Sequence, residues 1–254
     1  MARLIGQPEA EMETARRWIS LRDHGVRLFV GRVFNHDYLW FSATEISKRS
    51  ETIPVLHNYA LTYALGDFSY WQGPPTPRYE SDLDQIPLYA LPAASDAATR
   101  TRLTYNAVNS RTLRTDDKPA NVNAPDLGQR TYLDPVLDTQ PGKGFTVYVF
   151  TFDEANPKSL FRLGKKGAAL RAHWIEVDQP RAVMRDAPVE PTHPVNPLDV
   201  SGEILTYEPV MMPPHLLLRR TQIRDDWFVF AELDRTRHRI HVPRRVLAWL
   251  EESA

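Results

Sequence analysis

The chain has 254 residues, a formal net charge of −1, 21 prolines and no cysteine. Without cysteine there is no disulfide framework, no thiolate metal site and no thiol nucleophile, and near-neutrality argues against coating duplex DNA by net charge alone. This length suits one large domain or two small ones, burying roughly three quarters of the unfolded surface.

The first seventeen residues carry no long apolar run and turn acidic quickly, so no signal peptide is expected. No apolar run approaches the roughly 20 residues of a membrane helix. A cytoplasmic address is expected.

In chain order, residues 8–24 read as a short amphipathic helix, with Met12, Ala15 and Ile19 at helical spacing and Gly25 as its stop. Residues 26–34 alternate at first, as a strand does. Asn35 to Asp37 make a turn, 38–41 return apolar, and Ser42 with Glu45 has capping-box spacing, which predicts a helical turn. Pro54 opens the clearest helix, with Leu56, Tyr59, Ala60, Tyr63 and Ala64 as its buried stripe and Gly66 at its end. Residues 73–92 read as Pro-rich and polar.

Residues 103–113 suit a strand, and 114–130 read as a loop whose flanks are basic: Arg100, Arg102, Arg111 and Arg114 before it, Arg130 after it. Such a polar excursion suits a hairpin-like projection with a function. Residues 145–152, FTVYVFTF, are apolar almost throughout and predict a central strand. A basic glycine-containing stretch, FRLGKKGAALRAHW, follows. Residues 186–199 hold four prolines and predict an irregular connection. Strands at 216–223, 227–233 and 239–242 and a helix at 244–250 close the chain. Mixed elements with a late β-meander give an α+β class.

The eight histidines show no HExxH-type spacing, so no metal site is expected. His238 and His241 should face opposite sides of a strand. No GxSxG, P-loop or GxGxxG is present, and Asp225-Asp226 and Glu251-Glu252 read as solvated turn and tail residues, so no catalytic pair emerges. Arg162, Lys165, Lys166 and Arg171 around Gly164 and Gly167 suit a cradle for single-strand phosphates. Residue physics leaves that reading level with an ordinary exposed basic turn. Tyr148, Phe150 and Phe152 alternate as base-stacking aromatics do, but a strand apolar on both faces reads first as core. His57 and Asn58, off the helical stripe, suit either RNA contact or capping of a neighbouring loop.

Residues 39–66, LWFSATEISKRSETIPVLHNYALTYALG, closely resemble the N-terminal signature of the Cas-five protein of type I-D CRISPR Cascade, the Csc-one branch. The matching segments are Phe41-Ser42-Ala43-Thr44-Glu45-Ile46, Glu51-Thr52-Ile53-Pro54 and the run from Val55 to Gly66. Residues 103–107 and 121–135 resemble the family's inserted region. Residues 145–152, then Arg162-Leu163-Gly164-Lys165-Lys166, resemble its strand and RLGK turn. The resemblance touches about residues 26–245.

It implies a RAMP-superfamily protein with a ferredoxin-like, RNA-recognition-type core, an inserted thumb at about 100–135 and a β-rich C-terminal part. The expected division is 1–25 as an N-terminal helical extension, 26–185 as the core with its thumb, and 186–254 as the β-rich part. The implied function is a non-catalytic subunit in antiviral defence. It binds the 5′ handle of CRISPR RNA, caps the Cas-seven-type backbone filament, adjoins the Cas-ten-type large subunit and helps position target DNA near the PAM, with no membrane and no cofactor. Its RNA-binding candidates are Arg162, Gly164, Lys165, Lys166, Gly167, Arg171, His57 and Asn58, and its thumb candidates are Arg111, Arg114, Lys118 and Arg130. Two alternatives stand beside it. One is an endoribonuclease that processes precursor RNA with a set such as Lys165, Lys166 and His173. The other is a purely protein-bridging subunit.

Overall fold

Two long, mostly buried strands organise the molecule. In the computed structural model, which describes residues 17–46, 49–66, 77–105, 128–140, 142–165, 167–233 and 235–252, the elements run as follows. β1 is Trp18–Ser20, β2 Arg27–Asn35, β3 Thr44–Ile46, β4 Arg49–Glu51, β5 Val55–Leu56, α1 Asn58–Leu65, α2 Tyr79–Leu83, β6 Leu88–Ala90 and β7 Ala93–Ala94. β8 is Arg100–Tyr105, β9 Gly128–Leu133, β10 Phe145–Thr151, β11 Leu160–Leu163, β12 Ala168–Glu176 and β13 Arg181–Arg185. β14 is Glu203–Val210, β15 Leu217–Arg224, β16 Asp226–Leu233, β17 Thr236–His241 and α3 Arg244–Glu252.

β2 and β10 pair antiparallel, Val30 opposite Tyr148 and Val33 opposite Phe145, and both are buried on both faces. They form the middle of a seven-stranded sheet ordered β11-β12-β2-β10-β7-β5, with β6 also on β10. Burial on both faces is what a continuous apolar run demands. Tyr148, Phe150 and Phe152 lie in this core, which removes them as base-stacking platforms.

A second antiparallel sheet is ordered β1-β13-β16-β17, and α3 meets the end of β10, where Phe152 and Trp249 stack with centroids 4.4 Å apart. Both sheets feed one core, which runs from Leu28, Val147 and Phe150 to Val229, Ile240, Val246 and Leu250. A third sheet, β3-β4-β9-β8, joins β4 and β9 in parallel. β14 and β15 form a two-stranded arm whose β14 is exposed along most of its length.

Several expectations need correction. Residues 18–20, placed in a helix at 8–24, are strand β1 and pair with β13; residues 1–16 lie outside the described set. The Ser42–Glu45 capping box does not start a helix, because Thr44 to Ile46 pair with β4. α1 begins at Asn58 rather than after Pro54, and residues 55–56 are strand β5. Its buried face is Asn58, Leu61, Thr62 and Leu65, not the Leu56–Tyr59–Ala60–Tyr63–Ala64 stripe. Polar residues turn inward there because they are satisfied: the Thr62 hydroxyl donates to the Asn58 carbonyl at 2.9 Å and accepts from the Ala90 amide at 3.0 Å. The polar stretch at 73–92 contains α2 and β6. β13 and β14 had no counterpart in the sequence reading.

Candidate functional site

The basic turn joins β11 to β12, which pair Leu163 with Ala168. Gly164 and Gly167 have φ of +79° and +63°, a region where a side chain is strained. The turn is closed from within: the Gly167 amide donates to the Gly164 carbonyl at 3.0 Å, and the Arg162 guanidinium donates to the Gly167 carbonyl at 2.8 Å. It is also docked on the segment after β2, where the Lys165 amide donates to the Trp40 carbonyl at 2.9 Å. A Cβ on Gly164 would stand 2.6 Å from that same carbonyl oxygen.

The turn borders a half-open cavity of about 490 Å³. Phe41, Ser42, Ala43 and Glu45 form one wall, Leu56, His57 and Ala60 a second, Leu163, Gly164 and Lys165 a third, with Met212 and Pro213 closing it. The lining is mostly apolar with a cation and a carboxylate, a composition suited to an organic ligand with a charged group. His57 caps α1: its Nδ1 accepts from the Tyr59 amide at 3.2 Å. Burial, then the neighbouring His215, pulls its imidazole down to about 3, so it is neutral here.

The predicted residues do not all meet. Gly164, Lys165 and His57 line the cavity, and Arg162 and Gly167 belong to the same turn. Arg171 is exposed on β12 and, with His173, faces Asp138 at 3.4 and 3.3 Å. Hydrogen bonding to His173, and then the Arg171 charge, hold that carboxyl below its ordinary range. Asn58 is fully buried, its amide donating to the Tyr89 hydroxyl at 2.9 Å and to Asp199 at 3.3 Å. It therefore takes the loop-capping role rather than RNA contact. Arg130 is not in a loop: it lies in β9, with its guanidinium 4.6 Å from the Trp40 ring centroid. Lys166 and the thumb residues Arg111, Arg114 and Lys118 lie outside the described residues.

Trp40 is the residue the sequence reading missed. Lys165 sits over the same ring at 5.1 Å, so Trp40 joins the basic turn to the base of the β8–β9 hairpin. Its signal was present as a lone tryptophan two residues before the matched FSATEI segment's Ser42. Asp226 was also misread. It is not solvated but fully buried, accepting from the Ser201 and Gly202 amides at 2.9 Å each and facing His241 at 3.1 Å. His238 instead meets the Tyr148 hydroxyl at 2.7 Å, so the two histidines serve separate networks.

Three of the segments that carried the family resemblance, around Phe41, Leu56 and Leu163, are thus three walls of one cavity. A family model described as type I-D CRISPR-associated protein Cas5/Csc1 matches residues 26–248. No curated protein matches the chain.

Proposed function

The chain belongs to the type I-D CRISPR-associated Cas5/Csc1 family, a membership that implies a Cascade subunit, and we propose that its task there is to hold the 5′ handle of the CRISPR RNA without turnover. The observation that carries this reading is the meeting of the family segments around a cavity with Lys165 at its rim. Glycines bring backbone amides close to phosphate, and lysine and arginine neutralise it. The same reading has the subunit cap the Cas-seven-type filament, adjoin the Cas-ten-type subunit in the cytoplasm and help position target DNA near the PAM.

The core supports a RAMP-type, ferredoxin-like reading through its topology. Taken as β2, α1, β6, β10 and β12, the central strands lie in the order fourth, first, third, second, with every neighbouring pair antiparallel. That order is the one a split βαβ arrangement takes, although β11 occupies the second helix's place in the chain and extends the sheet beyond β12. The thumb reading rests on the β8–β9 hairpin, which opens and closes the inserted region.

Absence of turnover is part of the proposal. Lys165 is held at the turn, while His173 lies five residues beyond Ala168 along β12, roughly 16 Å of strand. That spacing separates the groups of a Lys–His acid–base pair.

Changing Arg162, Lys165 and Lys166 together to Ala should reduce the CRISPR RNA recovered with the purified complex. If about four phosphates are neutralised, the salt slope of RNA binding should be about −3. Undiminished RNA content would favour a protein-bridging subunit, and specific cleavage of repeat RNA by the purified chain would establish an enzyme.

A further inference from the structure

Two cations from distant parts of the chain share one indole. Arg130 comes from β9 and Lys165 from the β11–β12 turn, and they stand 4.6 and 5.1 Å from the Trp40 ring. Their charges are therefore no farther apart than those two distances laid end to end. We infer that Trp40 is a positioning residue that holds Arg130 and Lys165 together as a two-cation site for the phosphates of a single RNA strand. This assignment rests on the RNA-holding reading above and names the groups that would grip the backbone.

Four observations support it. Tryptophan offers cations the best aromatic face. Trp40 keeps that face at a cost: it is 5% exposed, and its Nε1–H has no hydrogen-bond partner among the described residues. An unsatisfied buried donor destabilises the fold. Phenylalanine would keep an aromatic face without that cost, so the stronger cation-binding indole face is what the position uses.

Lys165 is fixed at both ends, its amide on the Trp40 carbonyl and its ammonium over the Trp40 ring. Preorganisation of this kind reduces the entropy lost when an anion binds. Finally, Lys165 is exposed and has no carboxylate partner among the described residues.

The test is fluorescence anisotropy on the full chain. The probe is a fluorescein-labelled single-stranded RNA with the repeat-derived sequence at its 5′ end, titrated across a series of KCl concentrations. K165Q and R130Q should each lower the salt slope by about 0.7, and together by about 1.4. W40L should reproduce the double variant's loss of slope whatever it does to the melting temperature, W40F should fall between, and W40L should add no further loss of slope to the double variant. A merely structural Trp40 would instead lower the melting temperature and leave the slope alone. RNA bound with the wild-type slope by both W40L and the double variant overturns the site. A wild-type chain that binds no RNA at all overturns the RNA-holding reading and this site with it. If W40L does not fold, K165Q with R130Q decides the matter.

Discussion

Gly164 shows how one residue without a side chain fixes the geometry of the basic turn. Its φ of +79° suits glycine, and an added Cβ would meet the Trp40 carbonyl oxygen at 2.6 Å and Leu39 at 2.8 Å. The first contact is with backbone and cannot be relieved by a rotamer change. Gly164→Ala should therefore destabilise the fold by about 1–3 kcal/mol and push Lys165 away from Trp40. Urea unfolding measures the first effect and the salt slope of RNA binding the second. A variant as stable as wild type would show that the turn does not need this conformation. The need for glycine here was legible in the sequence, as two glycines among cations. The partner was not. Nothing in the spacing of residues 40 and 164 says that their backbones touch, because that contact is made across the fold. Asn58 shows the converse. A polar residue at a helix start reads as a surface group, but its amide is consumed by Tyr89 and Asp199, which lie 31 and 141 positions away.

At the scale of elements, legibility followed burial. β10 is apolar on both faces and was visible as such, β2 was legible as a strand from its alternation but not its burial on both faces, and the strands β15 to β17 and helix α3 fell close to where they were expected. β14 was not visible, because a strand exposed along most of its length leaves no alternation to read; only its ladder with β15 defines it. α1 was found but rotated, since Thr62 and Asn58 face inward through hydrogen bonds that no hydrophobic pattern encodes. The β8–β9 hairpin carries a prediction of its own. Its last pair in register is Tyr105 with Gly128, so the two strands can be closed directly there. Replacing residues 106–127 by Asn-Gly, a two-residue turn matched to strand twist, should keep the fold and, by shortening the loop to be closed, should not lower its stability. Circular dichroism and thermal melting check that. Under the proposed function, the assembled complex should then bind target DNA more weakly while its RNA content stays constant. Loss of folded protein would mean that the excised segment belongs to the core and is not a thumb.

Across the whole molecule, buried polar networks tie the segment at 186–199 to the sheets. Asp199 accepts from the Tyr89 hydroxyl at 2.9 Å, Asn196 donates to Asn58 at 3.4 Å, and His193 accepts the His241 amide at 3.1 Å. These groups give the fold a pH dependence whose sign can be worked out. Burial holds the imidazoles of His57 and His193 at about 3, far below their ordinary 6.5. The unfolded chain takes up their protons first, so the stability they contribute is complete above about pH 6.5 and declines as pH falls toward 3. Burial also lifts Asp199 to about 6, against the hydrogen bond from Tyr89. Here the folded state takes the proton first, so stability rises as pH falls from about 6 to about 4. His238, also lowered by burial, acts in the same direction, so the losses outweigh the one gain and leave a net decline on the order of 1 kcal/mol per pH unit or more. The urea midpoint should therefore be lower at pH 5 than at pH 7. Asp199→Asn removes a buried charge that is unfavourable at neutral pH, so it should stabilise the protein at pH 7. It also removes the one opposing term, so the fall toward pH 5 should become steeper. A wild-type midpoint that rises from pH 7 to pH 5, as Asp199 alone would make it, would mean that His57 and His193 are reached by water and titrate normally.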